Sequence, residues 1–225
     1  MSATHRKLKP EALGPQDQQL LMEGLARLPL QLDAQQCDQL FRYGLLIQKW
    51  NQVYNLTAIR SNHELITHHL LDSLAALPLS AEAVQGESEV KVLDVGAGAG
   101  LPGIVWAIAK PGWRVTLIDT VQKKAAFMQQ AIAGLGLKNA SAVHGRVEAH
   151  GCEKPFDLIC SRAFSSLGNF IELSGHLLAE GGCFAALKGR LEVDSEVPPG
   201  WKIQAIHPIQ VPFLEEERHL FLIKR

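Results

Sequence analysis

The chain has 225 residues, 47% of them apolar and 20% charged, with a formal net charge of −1. That length and composition suit one sizeable core, and the charge excludes the strongly basic balance of proteins that grip bare nucleic acid non-specifically. No apolar run approaches the ~18 residues of a membrane span. The basic N-terminus lacks an apolar segment behind it, and Cys37, Cys152, Cys160 and Cys183 lack C-x-x-C spacing, so a reduced, cytoplasmic protein with no membrane and no metal partner is expected.

Up to about residue 85 the apolar spacing is helical. A first helix is predicted from about Gln16 to Arg27. A second begins after Asp33, a suitable N-cap, and carries Leu40, Ile47, Trp50 and Tyr54 on one core-facing stripe. A third is introduced by "SNHE", where Ser61 and Glu64 have capping-box spacing, and buries Ile66, Leu70, Leu74 and Leu77. "VQGESE" reads as a linker, dividing an N-terminal helical extension, 1–85, from a second unit, 86–225.

Beyond the linker, short β-rich runs alternate with helical ones. Seven strands are predicted at "EVKVLDV", "RVTLID", "SAVHG", "FDLICSRA", "GCFAALKG", "KIQAIHPIQV" and "RHLFLIK", with helical segments at 102–109, 121–134 and 167–179. This is the α/β pattern of a mostly parallel sheet covered on both faces. The last two strands have no room for a helix between them, so they should form an antiparallel C-terminal hairpin.

The turn after the first of these strands reads "VLDVGAGAGLPGI". In an open α/β sheet a ligand lies beyond the carboxyl ends of the strands, and this turn is in that place. A phosphate loop would need Gly-Lys-Ser/Thr, which is absent. Gly98, Gly100 and Gly103 satisfy G-x-G-x-x-G, but late after the strand, and Pro102 removes an N–H that a pyrophosphate would use. The more informative phrase is Asp94-x-Gly96-x-Gly98-x-Gly100, followed by an acid at the end of the second strand, Asp119. Asp119 can accept both hydroxyls of a ribose, a feature that nicotinamide dinucleotides and S-adenosylmethionine share. Asp94 suits a ligand with a cationic end, such as a methionyl sulfonium.

The phrases "WNQVYNLTAI", "HHLLDSL", "VLDVGAGAGLPGI", "LIDTVQKKAAF", "GRVE", "FDLICSRAFSSL", "ALKG" and "ERHLFLIK" occur in that order over about residues 40–225. In them the chain resembles the bacterial small-subunit ribosomal RNA guanine-N7 methyltransferase family, once called glucose-inhibited division protein B. The resemblance implies a Rossmann-like class I fold with a seven-stranded sheet and S-adenosylmethionine as cofactor. The implied partner is 16S rRNA, in its 530-loop region, within a small ribosomal subunit or assembly particle. It carries cofactor contacts onto Gly96 and Leu101 in the turn, Val147 and Glu148 after the third strand, and Arg162 after the fourth; Asp94, Gly98 and Asp119 join them as candidate cofactor residues from the glycine phrase and its following acid. The alternative is a methyltransferase of a small molecule.

Guanine N7 carries an available lone pair, so methyl transfer to it needs alignment and exclusion of water rather than a general base. The fourth strand ends in "SRAF", unlike the Asn/Asp-Pro-Pro-aromatic of amine methylation, and no cysteine stands beside a proline as C5 methylation would require. Arg162 is therefore the candidate catalytic side chain, able to pair with the methionyl carboxylate or donate to guanine O6. Phe164 is a candidate for stacking on an extruded base. Candidate RNA contacts are Lys188, Arg218 and His219, with Arg6, Lys7, Lys9, Lys123, Lys124 and Arg190 as further basic positions. His68 and Asp72 are one helical turn apart, but two ligands without a third do not make a metal site.

Overall fold

In the computed structural model of the chain, residues 12–84, 89–151, 154–162, 164, 166–191 and 196–225 are described. Arg6, Lys7 and Lys9, Cys152 and residues 85–88 of the expected linker lie outside them.

Helix α1 (Pro15–Leu25) starts with proline at its first turn and with the Gly14 amide donating to Asp17 at 2.8 Å. Helix α2 (Ala34–Tyr54) starts with the expected Asp33 cap. Asp33 Oδ1 accepts the Gln36 N–H and Gln36 Oε1 accepts the Asp33 N–H, each at 2.8 Å. Leu40, Tyr43 and Ile47 are fully buried, but the stripe runs out before the helix does. Trp50 is half-buried and Tyr54 is exposed, because the last turn of α2 extends past the core.

The third helix is not one helix. Ser61 caps α3 (Asn62–Glu64) as expected, a π-helical segment follows at Leu65–Leu71, and then come α4 (Asp72–Ala75) and α5 (Leu77–Glu82). Pro78 lacks the N–H needed to continue a helix and stands in the first turn of a new one. Ile66, Leu70, Leu74 and Leu77 are all buried nonetheless, because burial follows the apolar stripe whatever the local winding.

The rest alternates as expected: β1 (Lys91–Val95), α6 (Gly103–Ala109), β2 (Arg114–Asp119), α7 (Gln122–Leu135), β3 (Ala140–His144), β4 (Phe156–Ser161), α8 (Leu167–Ser174), β5 (Leu178–Lys188), β6 (Lys202–Pro208) and β7 (His219–Lys224). The seven strands lie in the order β3-β2-β1-β4-β5-β7-β6. Pairs among the first five are parallel, and β7 is antiparallel to both β5 and β6. The C-terminal hairpin is thus present with its second strand inserted inside the sheet.

Period-two alternation divides each central strand between two cores. Val92, Leu158, Cys160 and Cys183 face the larger one, with α1, α2, α6, α7 and the π-helical segment. Leu93, Ile159 and Phe184 face the smaller one, with α8. The helices ahead of the sheet share the larger core with it. Trp106 of α6 locks the two together: it is fully buried, and its indole N–H donates to the Ser73 carbonyl of α4 at 2.8 Å. Truncating such a side chain to alanine costs about 3–5 kcal/mol. Among the described residues, no helix is long and apolar enough to cross a membrane.

Candidate active site

Strand order reverses between β1 and β4, so the two loops leaving these strands diverge and open a crevice at their carboxyl ends. Asp94 pairs with Cys160 across the two strands, and Ser161, the last residue of β4, donates its hydroxyl to the Val95 carbonyl at 2.8 Å. Gly96 and Arg162 therefore leave the sheet side by side.

The glycine turn is tied to the end of β2. The N–H groups of Gly96 and Ala97 donate to the Ile118 carbonyl at 2.9 and 3.2 Å, and Gly98 N–H donates to Asp119 Oδ2 at 2.9 Å. Asp119 Oδ1 accepts the Val121 N–H at 2.8 Å, and Lys124 Nζ lies 3.9 Å from its other oxygen. Gly96 and Gly98 have φ of +66° and +61°, in the left-handed region that side chains avoid. A Cβ on Gly96 would meet nothing within 4 Å, so the turn presents bare backbone to open space. Leu101 is buried beneath it.

Asp94 points inward. It is fully buried, and its Oδ2 accepts the Gly103 N–H at 2.8 Å at the start of α6. Its Oδ1 has no hydrogen-bond partner. Burial raises its pKa to about 7, opposed by the Gly103 hydrogen bond and the nearby charge of Arg162. A phosphate at the start of α6 would face this carboxylate and find the Gly103 amide already engaged, which disfavours a pyrophosphate ligand. The turn is also held from above by α2, whose Tyr43 hydroxyl donates to the Ala99 carbonyl.

Val147 lies in a single helical turn after β3, with its side chain buried in the smaller core. The neighbouring Glu148 is exposed, and its carboxylate accepts from Arg146 Nε at 2.7 Å. Its own backbone N–H and the Arg146 hydrogen bond hold its pKa low.

Beyond β4, β5 and β7 lies a cavity of about 340 Å³. It gathers Arg162, Lys188, Arg218 and His219, four of the sequence candidates from three strand ends, around the buried carboxylate of Asp72. Asp72 Oδ2 is 3.4 Å from Arg162 Nη1, and Asp72 Oδ1 is 3.2 Å from Arg218 Nε. Burial raises the Asp72 pKa, while the two guanidinium groups lower it. His219 Nδ1 donates to the Gly189 carbonyl at 2.8 Å. Phe164 is not in this cavity: its half-buried ring lies 5.1 Å from Phe170, against the smaller core. Lys123 is exposed at the start of α7.

His69 was not singled out by sequence reasoning, yet it touches Arg162. Its Nδ1 is 3.2 Å from Arg162 Nη2 and its Nε2 is 2.7 Å from Thr57 Oγ1. Burial and the guanidinium charge push its pKa down to about 3, so it is neutral. The signal lay in "NLTAI" and "HHLLDS", two phrases whose contact only folding reveals. Among the described residues, no three His, Cys, Asp or Glu side chains gather as a metal site would require.

The chain is similar to proteins of one family over most of its length. The family model described as rRNA small subunit methyltransferase G matches residues 36–221. The protein of that name from Herminiimonas arsenicoxydans is 51% identical over 213 residues, covering 92% of this chain and 94% of its own. That from Azoarcus sp. (strain BH72) is 48% identical over 208 residues, covering 91% and 95%. Among solved structures, TrmN from Thermus thermophilus shares the fold, with a TM-score of 0.53 at 16% identity over 71% of this chain and 53% of that one.

Proposed function

The chain belongs to the rRNA small subunit methyltransferase G family, and from that premise we infer that it methylates N7 of a guanine in the 530-loop region of 16S rRNA, using S-adenosylmethionine. The observation that carries the reading is the crevice itself. An open glycine backbone and a ribose-competent acid lie on the β1/β2 side, and a cationic cavity lies on the β4/β5/β7 side, with Arg162 between them.

The residues fit the cofactor. The space beside Gly96 and Gly98 admits a ligand against the backbone, and Asp119, whose two oxygens each accept one backbone N–H, has lone pairs left at the end of β2 for ribose hydroxyls. Leu101 and Val147, buried in the larger and the smaller core, hold the backbone of their two loops in place, Glu148 is an exposed acceptor beside Val147, and Asp94 is a buried carboxyl behind the turn. When bound, S-adenosylmethionine supplies an electrophilic methyl group. Arg162 bridges the two halves of the crevice, where it can hold a carboxylate or donate to guanine O6. Lys188, Arg218 and His219 orient the RNA, and Phe164 serves it only from the margin of the site.

No proton need be removed from N7, so catalysis rests on alignment and dryness. The groups nearby suit that economy. His69 is a neutral, engaged ring, and burial together with the Asp94 charge pushes the Cys160 thiol well above its ordinary range, leaving it a poor nucleophile. The helices before residue 85 form the cap on the RNA side, reaching the turn through Tyr43 and the cavity through the π-helical segment. The net charge of −1 gives little general attraction for loose RNA, which favours a subunit or assembly particle in the cytoplasm as substrate.

The test is transfer of labelled methyl to protein-free 16S RNA, small subunits and whole ribosomes, followed by strand scission at N7-methylguanine. Label on one 530-loop guanine of the subunit is expected. Equal transfer to protein-free RNA would refute the particle as substrate, and label confined to small molecules would refute the RNA reading.

A further inference from the structure

Arginine has a long, flexible side chain, and a reaction that depends on alignment needs its guanidinium fixed. The groups that meet Arg162 come from one short stretch. Arg162 Nη1 donates to the His68 carbonyl at 2.7 Å and lies 3.4 Å from Asp72 Oδ2, while Nη2 is 3.2 Å from His69 Nδ1. This stretch spans the point where π-helical winding gives way to α-helix. In an α-helix the Asp72 N–H would bond the His68 carbonyl. Here it reaches the Thr67 and His69 carbonyls instead, leaving the His68 carbonyl to turn toward Arg162.

The histidine completes the arrangement. A guanidinium can only donate hydrogen bonds, so His69 Nδ1 must accept from Arg162 and the ring proton must sit on Nε2. That proton points at Thr57 Oγ1, 2.7 Å away. A second neighbour of Nδ1, the His68 carbonyl at 3.0 Å, would favour the other tautomer, but it would set a ring proton against the guanidinium. Thr57 is itself anchored: its N–H donates to Asn51 Oδ1 at 2.9 Å, and Asn51 Nδ2 donates to the Ile59 carbonyl at 3.1 Å. The chain Asn51–Thr57–His69–Arg162 thus joins the phrases "WNQVYNLTAI", "HHLLDSL" and "SRAF" at one guanidinium.

We propose that His69 is a positioning residue for methyl transfer, its neutral Nδ1, oriented by Thr57, fixing the plane of the Arg162 guanidinium at the β1/β4 crevice. The proposal rests on the functional reading above, in which Arg162 meets the reacting partners. Asp72 holds the other edge of the same guanidinium and ties it to Arg218.

Two substitutions separate positioning from packing. In His69→Asn the side-chain carbonyl replaces the Nδ1 acceptor. In His69→Gln the terminal amide replaces the Nε2 donor and the acceptor facing Arg162 is lost. With purified small subunits as substrate, His69→Gln should lower kcat by about 10–100-fold with little change in KM, the range expected for losing a hydrogen bond to a charged group. His69→Asn should restore most of that loss. Thr57→Val, a near-isosteric change outside the deep core, should lower kcat as well, because it lets the ring proton move to Nδ1. Equal kcat in the Asn and Gln variants per folded molecule, or an unchanged kcat in Thr57→Val, would overturn the proposal. Absence of transfer by the wild type would instead overturn the functional reading, and the proposal with it.

Discussion

Alanine at Gly96 and at Gly103 distinguishes glycines that serve a ligand from those that serve the fold. At Gly96 the backbone is left-handed and a Cβ meets nothing within 4 Å. The cost is conformational, about 1–2 kcal/mol, offset by about 0.4–1 kcal/mol from a stiffer unfolded chain. A net loss near 1 kcal/mol lowers Tm by about 2–4 °C in a chain of this size. At Gly103 the backbone is helical and alanine gains about 1 kcal/mol in propensity. Its Cβ, however, would stand 2.8 Å from Asp94 Oδ2, 2.9 Å from Leu117 Cδ2 and 3.0 Å from Asp94 Cβ, all in fully buried side chains. Overpacking costs about 1–3 kcal/mol, and turning Asp94 away from the Gly103 N–H costs about 1.5–3 kcal/mol more. The net loss of about 1.5–5 kcal/mol corresponds to about 3–20 °C in Tm. Thermal unfolding by circular dichroism measures the stability, and calorimetric titration with S-adenosylhomocysteine measures the site. Gly96→Ala should stay folded and bind at least about tenfold more weakly, since a methyl group now occupies the ligand's side of the turn. Wild-type binding by Gly96→Ala would refute the placement of the ligand there, and wild-type stability of Gly103→Ala would refute the packing role of Asp94.

Tyr43→Phe leaves the buried Ala99 carbonyl without its hydroxyl donor, so urea unfolding should show a loss of about 1–3 kcal/mol and cofactor binding should weaken. Unchanged values for both would show that α2 does not brace the turn. Arg162→Ala should remain folded, because Asp72 keeps Arg218, while kcat/KM for the subunit falls about 100-fold or more. Near-wild-type transfer would remove Arg162 from the site. Asp94 has a pKa of about 7 in the fold against an ordinary 3.8, so between those values the folded state holds a proton that the unfolded state has released. Its contribution to stability is therefore complete below about pH 4 and is lost as pH rises through 7. Asp94→Asn should lack that fall, and denaturant midpoints at pH 5 and pH 8 that decline equally in both proteins would contradict it.

Much of the fold was legible because period and punctuation are local. Asp33 and Ser61 cap helices wherever the chain goes, alternation marks the strands, and the spacing of β1 to β5 leaves little choice but parallel crossovers. The division of the chain was less legible. A polar linker near residue 85 suggests two units, yet Leu40, Ile47 and Ile66 share one core with Val92 and Leu117, because an apolar helix face cannot announce which surface will cover it. Tyr54 was expected inside and lies outside for a related reason: its stripe says which way it faces, and not where the core ends. Phe164 and Arg162, two residues apart, part company at the end of β4, one toward the smaller core and one toward the cavity.

The sequence by itself determined the strand and helix order, the glycine turn with its acids, and the basic residues at the strand ends. Each depends on a short pattern of residue types, and a short pattern is complete in the chain. Only the tertiary structure decided that Asp94 turns inward to Gly103 and that Asp72 joins Arg162 to Arg218. The same holds for the π-helical winding at residues 65–71, which frees a backbone carbonyl and brings His69 onto Arg162. Those contacts bridge residues nine to more than a hundred positions apart. They form because buried charges and amides must find partners once the core closes, a demand that no local pattern expresses.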